Sequence, residues 1–195
     1  MSVVSAISPA VVQIRTSIAL GSGVVFDARG DVVTNAHAVG NATRFMVTLA
    51  SGGAHPATLV GTDVANDLAV IRIQGARPRP ATFADWAQVQ VGDLTLAIGN
   101  PLGLRSSVTE GIVSAVGRSV PETDSVALSS VIQSSAAINP GNSGGALVDL
   151  AGQVIGIPTL AAIDPEMGGE APGIGVASNT ARRDAIRLAG STGDG

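Results

Sequence analysis

The sequence contains no cysteine, no lysine and only 2% aromatic residues. The lack of cysteine excludes disulfides, thiolate metal ligands and a cysteine nucleophile. Because only two histidines are present, we expect no zinc site built from protein ligands. No apolar run reaches the ~18 residues of a membrane-spanning helix, and the start of the chain lacks the basic region of a signal peptide. We therefore expect a membrane connection only through a segment outside this chain.

Acidic residues slightly outnumber basic ones, which gives a net charge of −4. All 11 basic residues are arginine, and they form no basic run. Nucleic-acid binding therefore has no support in the charge pattern.

Short runs of β-branched residues recur along the 195 residues and are separated by turns that contain glycine. This pattern predicts an all-β sandwich or barrel. Residues 74–93 interrupt it with Pro78 and Pro80, and about six runs lie on each side of residue ~85. We therefore predict one β-barrel in residues 1–84 and a second in residues 85–180. Helical spacing of apolar residues predicts a C-terminal helix and frayed tail in residues 181–195.

The most informative stretch is residues 136–148, AAINPGNSGGALV. It places Ser143 in a glycine-flanked turn directly before an apolar strand. Such a turn exposes a hydroxyl and directs backbone N–H groups toward the space above it, and acyl transfer requires both. The same residue types also form ordinary loops, so the stretch alone leaves a purely structural role open.

A serine nucleophile needs a base, and His37 and His55 are the only histidines. His37 follows a strand-like run, where small neighbours let its ring face a cleft, whereas we expect His55 in a flexible loop. The far ring nitrogen of the base needs an acceptor. Asp67, which leads directly into an apolar strand, fits that role better than Asp63, which lies farther from the strand.

This order places the base and its orienter in the first unit and the nucleophile in the second, with the site in the cleft between them. Here the sequence resembles the HtrA/DegP family of trypsin-like serine proteases. Its TNAH, NDLAV and NPGNSGG stretches are similar to the three catalytic motifs of that family. Other stretches with family counterparts are GSGVV at 21–25, AIGNPLG at 97–103, VTEGIVS at 108–114 and GIGVA at 173–177.

The resemblance implies two perpendicular six-stranded antiparallel β-barrels of the chymotrypsin type, followed by the short helix. It implies a serine endopeptidase of protein quality control that forms an acyl-enzyme at Ser143, with His37 as general base and acid and Asp67 as orienter. The backbone N–H groups of Gly141 and Ser143, with Asn142 between them, would form the oxyanion hole. The chemistry requires no cofactor and no metal.

Asn142 also bears on activation. Digestive proteases of this fold carry an aspartate there, which pairs with an N-terminal amine that zymogen cleavage frees. Because asparagine cannot form that ion pair, we predict no zymogen activation of this type.

The resemblance further predicts a primary substrate pocket without charged residues. Such a pocket favours cleavage after Val, Ala, Ile or Leu, because a bound arginine or lysine would be buried unpaired. The backbone at 159–161 is expected to pair with an extended substrate. The predicted substrate-binding residues are Ala137, Ile138, Thr159, Leu160, Ala161, Ile174 and Val176.

The chain departs from the family pattern in three respects. We expect no PDZ domain in this chain, because only about 50 residues follow Ser143. Ser135 stands where the family usually has aspartate. Pro158 stands where asparagine is more frequent, so its strand is expected to lack one backbone donor.

The resemblance also sets expectations about context. The substrates would be unfolded or extended polypeptides, and the location would be the periplasm or the cell exterior. Family members often form trimers, which makes a homo-oligomer an expectation by analogy. The alternative function is a peptide-binding chaperone or scaffold with a resting or inactive site, because many members need loop reordering before base and nucleophile meet. An esterase is a weaker alternative, since no α/β-hydrolase nucleophile elbow is present.

Overall fold

The computed structural model describes residues 2–17, 19–100, 107–123, 126–139, 141–159 and 173–190. Its strands form two closed antiparallel barrels with six strands each. The prediction of an all-β chain with two six-stranded barrels is therefore confirmed. Within the described residues, no helix is long and apolar enough to cross a membrane.

The first barrel comprises β1 (Val11–Arg15), β2 (Leu20–Val25), β3 (Asp31–Thr34), β4 (Arg44–Thr48), β5 (Ala54–Asp63) and β6 (Leu68–Ile73). The second comprises β7 (Leu94–Gly99), β8 (Ser107–Thr123), β9 (Val126–Ser134), β10 (Ala146–Val148), β11 (Val154–Thr159) and β12 (Gly173–Ala177). The strand orders are β1-β2-β3-β6-β5-β4 and β10-β11-β12-β9-β8-β7, and each order closes on itself. The α-helices of the described part are α1 (Val3–Ile7), α2 (Ala36–Val39) and α3 (Ser178–Gly190).

One buried cluster joins the two barrels. Val24 and Val33 of the first barrel belong to the same apolar cluster as Ile98, Val148 and Ile157 of the second. Because protein interiors are close-packed, this shared core fixes the two barrels relative to each other. Residues that face each other across the junction are therefore held by packing as well as by hydrogen bonds.

The C-terminal helix α3 packs on the first barrel through the face that its spacing predicts. Ala181, Ala185 and Leu188 are buried in the cluster that joins the barrels. The helix begins at Ser178, three residues before the predicted start. Its packing also brings polar side chains of the helix, Asp184 and Arg187, close to the turn before Asp67 in the first barrel.

One local prediction is wrong. His55 does not lie in a loop: it is part of β5 and pairs with Val47 of β4. His37 follows a strand, β3, as its sequence predicts, and lies in the one-turn helix α2, which was not predicted. Helix α2 was not predicted because its four residues are too few to show helical periodicity.

The segment between the barrels contains a short 3-10 turn, Trp86–Gln88. Trp86 packs against the second apolar cluster, which includes Ile132 and Ile155. A single bridge from Phe83 to Val154 also attaches this segment to β11. The tryptophan therefore has a packing role.

A buried ion cluster joins β3 to β6. The Asp31 side chain is fully buried and accepts hydrogen bonds from Arg72 Nε at 2.5 Å and Nη2 at 2.9 Å. Arg29 Nη2 lies 3.2 Å from the second carboxylate oxygen. The hydrogen bond to Asp31 raises the pKa of the Arg72 guanidinium above its ordinary value. The two guanidinium groups thus offset the negative charge of a carboxylate that water does not reach.

Replacing Arg72 with leucine should destabilise the protein, because Asp31 would stay buried with only the exposed Arg29 as its partner. We expect a loss of about 3 kcal/mol in the free energy of unfolding, measured by urea denaturation. The control is Arg44→Leu, since Arg44 is an exposed residue of β4 without an ion pair among the described residues. That control should change stability by less than about 0.5 kcal/mol. Equal losses in both variants would contradict the assigned role of the cluster.

Candidate active site

His37 and Asp67 form a hydrogen-bonded pair at the end of the first barrel. His37 Nδ1 lies 2.8 Å from Asp67 Oδ2, and the His37 backbone N–H donates to Asp67 Oδ1 at 2.9 Å. A carboxylate only accepts hydrogen bonds, so Nδ1 carries the hydrogen. In the neutral ring this leaves Nε2 as the proton acceptor. The His37 side chain is 45% exposed, whereas that of Asp67 is buried.

The backbone of Asp67 is left-handed, with φ 47° and ψ 43°. Aspartate adopts this conformation more readily than most residues. The Asp67 carbonyl accepts hydrogen bonds from Ala36 N–H at 3.1 Å and from Asn35 Nδ2 at 3.2 Å. Asp67 therefore fixes the start of α2 through its carbonyl and the histidine through its carboxylate.

Thr159 supplies a third donor to the carboxylate. Its hydroxyl donates to Asp67 Oδ2 at 2.7 Å, and the residue is fully buried at the end of β11. The placement of Thr159 beside the substrate stays a prediction, and its side chain contacts Asp67. A hydroxyl at the end of an apolar strand was the only local signal in the sequence. The partner lies 92 residues away, so no local pattern could have identified it.

Ser143 lies in the turn before β10 and is only 8% exposed. Its Oγ forms no hydrogen bond with any described residue, His37 included. Its backbone carbonyl accepts from Ser22 N–H of the first barrel at 3.3 Å. Catalytic hydrogen bonds are often long in ligand-free proteins and tighten when substrate binds.

The backbone N–H groups around Ser143 divide into two sets. Asn142 N–H donates to Asn139 at 3.0 Å, Gly144 N–H to Pro158 at 2.9 Å and Gly145 N–H to Asn142 at 2.9 Å. The N–H groups of Gly141 and Ser143 donate to no described residue. These two N–H groups, which donate to none of the described residues, are the pair that the resemblance predicts for an oxyanion hole.

Glycine is required at two positions of this turn. Gly141 has φ +116°, a conformation that other residues rarely adopt. Gly144 has φ +76°, and a Cβ there would overlap the Ser22 carbonyl oxygen and the Thr34 hydroxyl. The second barrel therefore approaches β2 and β3 of the first as closely as the backbone allows.

Asn142 is fully buried under the turn. Its Nδ2 donates to the Ala137 carbonyl at 3.3 Å and to Thr109 Oγ1 at 3.5 Å. The Thr109 hydroxyl itself donates to the same Ala137 carbonyl at 2.7 Å. The position thus needs a donor, which the amide provides and an ionised carboxylate cannot.

The predicted pocket residues that the structure describes have different surroundings. Ala137 is exposed, and Ile138 packs against the second apolar cluster. Ile174 is buried with Leu128 and Val131. Leu160, Ala161 and the side chain of Val176 lie outside the described residues.

The alternative candidate for the orienter, Asp63, has other partners. Asp63 binds Arg187 Nη2 of α3 at 2.7 Å and Asn66 Nδ2 at 3.1 Å. The amide of Asn66 also donates to the buried Asp184 of α3 at 3.1 Å. These contacts attach the turn before Asp67 to the C-terminal helix. Asp63 therefore stabilises the backbone that leads to Asp67.

Two of the departures from the family pattern, Ser135 and Pro158, have hydrogen-bond partners. Ser135 Oγ accepts from Ile112 N–H at 2.9 Å. Pro158 lies opposite Gly175 in the ladder, and its carbonyl accepts the Gly144 N–H. Among the residues that the structure describes, no cluster of three or more histidine, aspartate or glutamate side chains could hold a metal ion.

Residues 21–157 of the chain match the trypsin-like peptidase domain family. The periplasmic serine endoprotease DegP of Escherichia coli K12 is 48% identical over 169 residues, which is 86% of this chain and 35% of the relative. The serine endoprotease DegS of Haemophilus influenzae is 45% identical over 141 residues, 72% of this chain and 41% of the relative. A probable periplasmic serine endoprotease of the DegP type from Chlamydia trachomatis is 47% identical over 139 residues, 71% of this chain and 28% of the relative. The chain thus spans less than half the length of these relatives.

An aspartate at position 142 should destabilise the turn. It would place a carboxylate without a donor against the Ala137 carbonyl, and we expect a loss of about 2 kcal/mol in the free energy of unfolding at pH 7. The loss should shrink as the pH falls from 8 to 5, because a protonated carboxyl can donate again. Urea denaturation of Asn142→Asp at each pH measures this.

The matched control is Asn139→Asp, which changes an exposed asparagine of the same turn. It should leave stability within about 0.5 kcal/mol of the unmodified protein. A pH-independent loss in Asn142→Asp, or an equal loss in the control, would contradict the donor role of Asn142.

Proposed function

Because the chain belongs to the trypsin-like peptidase family and to its HtrA-like branch, we propose that it is a serine endopeptidase. In this proposal Ser143 is the nucleophile, His37 the general base and acid, and Asp67 the orienter. Gly141 and Ser143 supply the oxyanion hole.

The observation that carries the proposal is the unused pair of N–H groups at Gly141 and Ser143. Backbone donors inside a tightly bonded turn are normally paired. In this turn the three neighbouring N–H groups donate to described residues, and those of Gly141 and Ser143 do not. This is the donor arrangement that a tetrahedral oxyanion requires.

The residues then have defined steps. His37 Nε2 takes the proton of Ser143 Oγ as the oxygen attacks the peptide carbonyl, and the developing oxyanion accepts from Gly141 and Ser143. His37 returns the proton to the leaving amine, and a water molecule hydrolyses the acyl-enzyme by the same route in reverse. Asp67 holds the ring and stabilises the imidazolium. Each oxyanion donor contributes about 3–4 kcal/mol to such transition states.

We propose a preference for small aliphatic side chains before the scissile bond. Ala137, Ile138 and Ile174 carry no charge, and Ile174 is buried in an apolar cluster. A basic side chain placed beside them would lose its hydration without gaining a partner.

We further propose that the protein acts outside the cytoplasm on unfolded or extended polypeptides, as part of protein quality control. Support comes from relatives named periplasmic serine endoproteases. A homo-oligomer stays a prediction of the family resemblance.

A peptide-binding scaffold with a resting site is the second candidate. The observation that favours it is the missing hydrogen bond between Ser143 Oγ and His37. In that case the base and nucleophile meet only after a loop rearrangement.

Labelling with a fluorophosphonate probe, followed by intact mass measurement, tests the proposed nucleophile. We expect one adduct on the unmodified protein and none on Ser143→Ala or His37→Ala. Asp67→Asn should label about 10⁴-fold more slowly, because asparagine keeps the left-handed backbone but favours the wrong tautomer of His37. A folded protein that forms no adduct would exclude the active enzyme and favour the scaffold.

Cleavage-site profiling on a peptide library tests the proposed specificity. We expect Val, Ala, Ile and Leu to dominate before the cleaved bond, with Ser143→Ala as the blank. A majority of arginine or lysine at that position would refute the apolar pocket.

A further inference from the structure

Ser22 of β2 lies fully buried between the two barrels. Its hydroxyl donates to the Gly141 carbonyl at 2.5 Å and accepts from Asn100 N–H at 2.8 Å. It thereby joins the end of β7 to the turn that carries Ser143. No other hydrogen bond to the Gly141 carbonyl occurs within the described residues.

The backbone of Ser22 makes two more contacts with the site. Its N–H donates to the Ser143 carbonyl at 3.3 Å, and its carbonyl accepts the Thr34 hydroxyl at 2.7 Å. Thr34 ends β3, directly before the residues that lead to His37. Ser22 thus contacts the carbonyls of Gly141 and Ser143 and also β3, the strand that precedes the helix of His37.

We propose that Ser22 is a positioning residue that fixes the direction of the Gly141 N–H group through its hydroxyl, and this rests on the proposed function. Gly141 has the widest conformational freedom of any residue type, yet its N–H must keep one direction to bind an oxyanion. Its carbonyl lies on the other side of the same Cα, so fixing the carbonyl limits rotation at this residue. Ser22 fulfils this role from a strand of the opposite barrel.

Removing the hydroxyl leaves two buried backbone groups without a partner. The Gly141 carbonyl loses its donor and the Asn100 N–H loses its acceptor, which is unfavourable in a dry interior. Rotation at Gly141 relieves part of this penalty and turns its N–H away. The expected result is a folded protein whose oxyanion hole is incomplete for part of the time.

Ser22→Ala should therefore lower kcat by about 10- to 100-fold at nearly unchanged KM, because a small misplacement of a catalytic group has effects of this size. Inhibition by a peptide aldehyde, which binds as a tetrahedral adduct, should weaken by a similar factor. The matched control is Thr95→Val, which removes an equally buried hydroxyl that pairs with Ser134 Oγ at 2.9 Å in the second barrel. This control should keep the kcat of the unmodified protein.

Amide hydrogen exchange, read by mass spectrometry on peptides covering residues 139–145, gives a second measurement that needs no activity. Exchange in this turn should accelerate in Ser22→Ala and not in Thr95→Val. If Ser22→Ala does not fold, Ser22→Cys replaces it, since a thiol is a weaker donor of similar size and should give intermediate values.

The outcomes separate the two proposals. An unmodified protein that forms no adduct with the fluorophosphonate refutes the proposed function, while exchange in the turn still decides whether Ser22 holds it. A fully active Ser22→Ala, a control that loses kcat equally, or unchanged exchange in the turn would each overturn the role of Ser22.

Discussion

The left-handed backbone of Asp67 is the constraint on which the candidate site depends. A non-glycine residue in this conformation costs about 1–2 kcal/mol, and hydrogen bonds on both sides of Asp67 offset the cost. Its carbonyl binds the start of α2, and its carboxylate accepts from the His37 backbone, the His37 ring and Thr159. Asparagine or glycine would also fit the backbone, but only aspartate supplies an acceptor for all three donors. Backbone geometry and proposed chemistry therefore select the same residue.

In the second barrel the constraint is a different one: it is the hydrogen bonding of the backbone N–H groups in the turn that carries Ser143. Three of them donate to described residues, and the two beside the Ser143 hydroxyl donate to none of the residues that the structure describes. The turn takes this shape because Gly141 adopts a positive φ and because Gly144 lies in close contact with Ser22 and Thr34 of the first barrel. On the side of Gly141 the turn packs against Gly99 of its own barrel, and the hydroxyl of Ser22 adds a hydrogen bond from the other. The barrels thus share more than an apolar cluster, because a polar contact crosses between them at the proposed site.

The sequence predicted those features that local patterns encode. Buried β-branched runs gave the strands, for example Leu68–Ile73, where nearly every residue is apolar and buried. The stretch around Ser143 could be interpreted because turn chemistry is local. Helix α2 was missed because four residues show no period, and the loop predicted at His55 was wrong because pairing with β4 outweighed the local turn signals. The contacts of Thr159 and Ser22 span 92 and 119 residues. No pattern along the chain records such contacts, since only the closed barrels bring their partners together.

The Ser143 hydroxyl, which has no hydrogen-bond partner among the residues that the structure describes, connects the two candidate functions. A buried hydroxyl without a hydrogen bond is unfavourable by about 1–3 kcal/mol, so this arrangement stores free energy that a partner would release. His37 is partly exposed and already oriented by Asp67. In the proposed enzyme, a substrate that covers His37 would exclude water and strengthen a hydrogen bond between the two residues. The two candidate functions would then be two states of one fold, and a bound peptide would shift their populations by its differential affinity for the two.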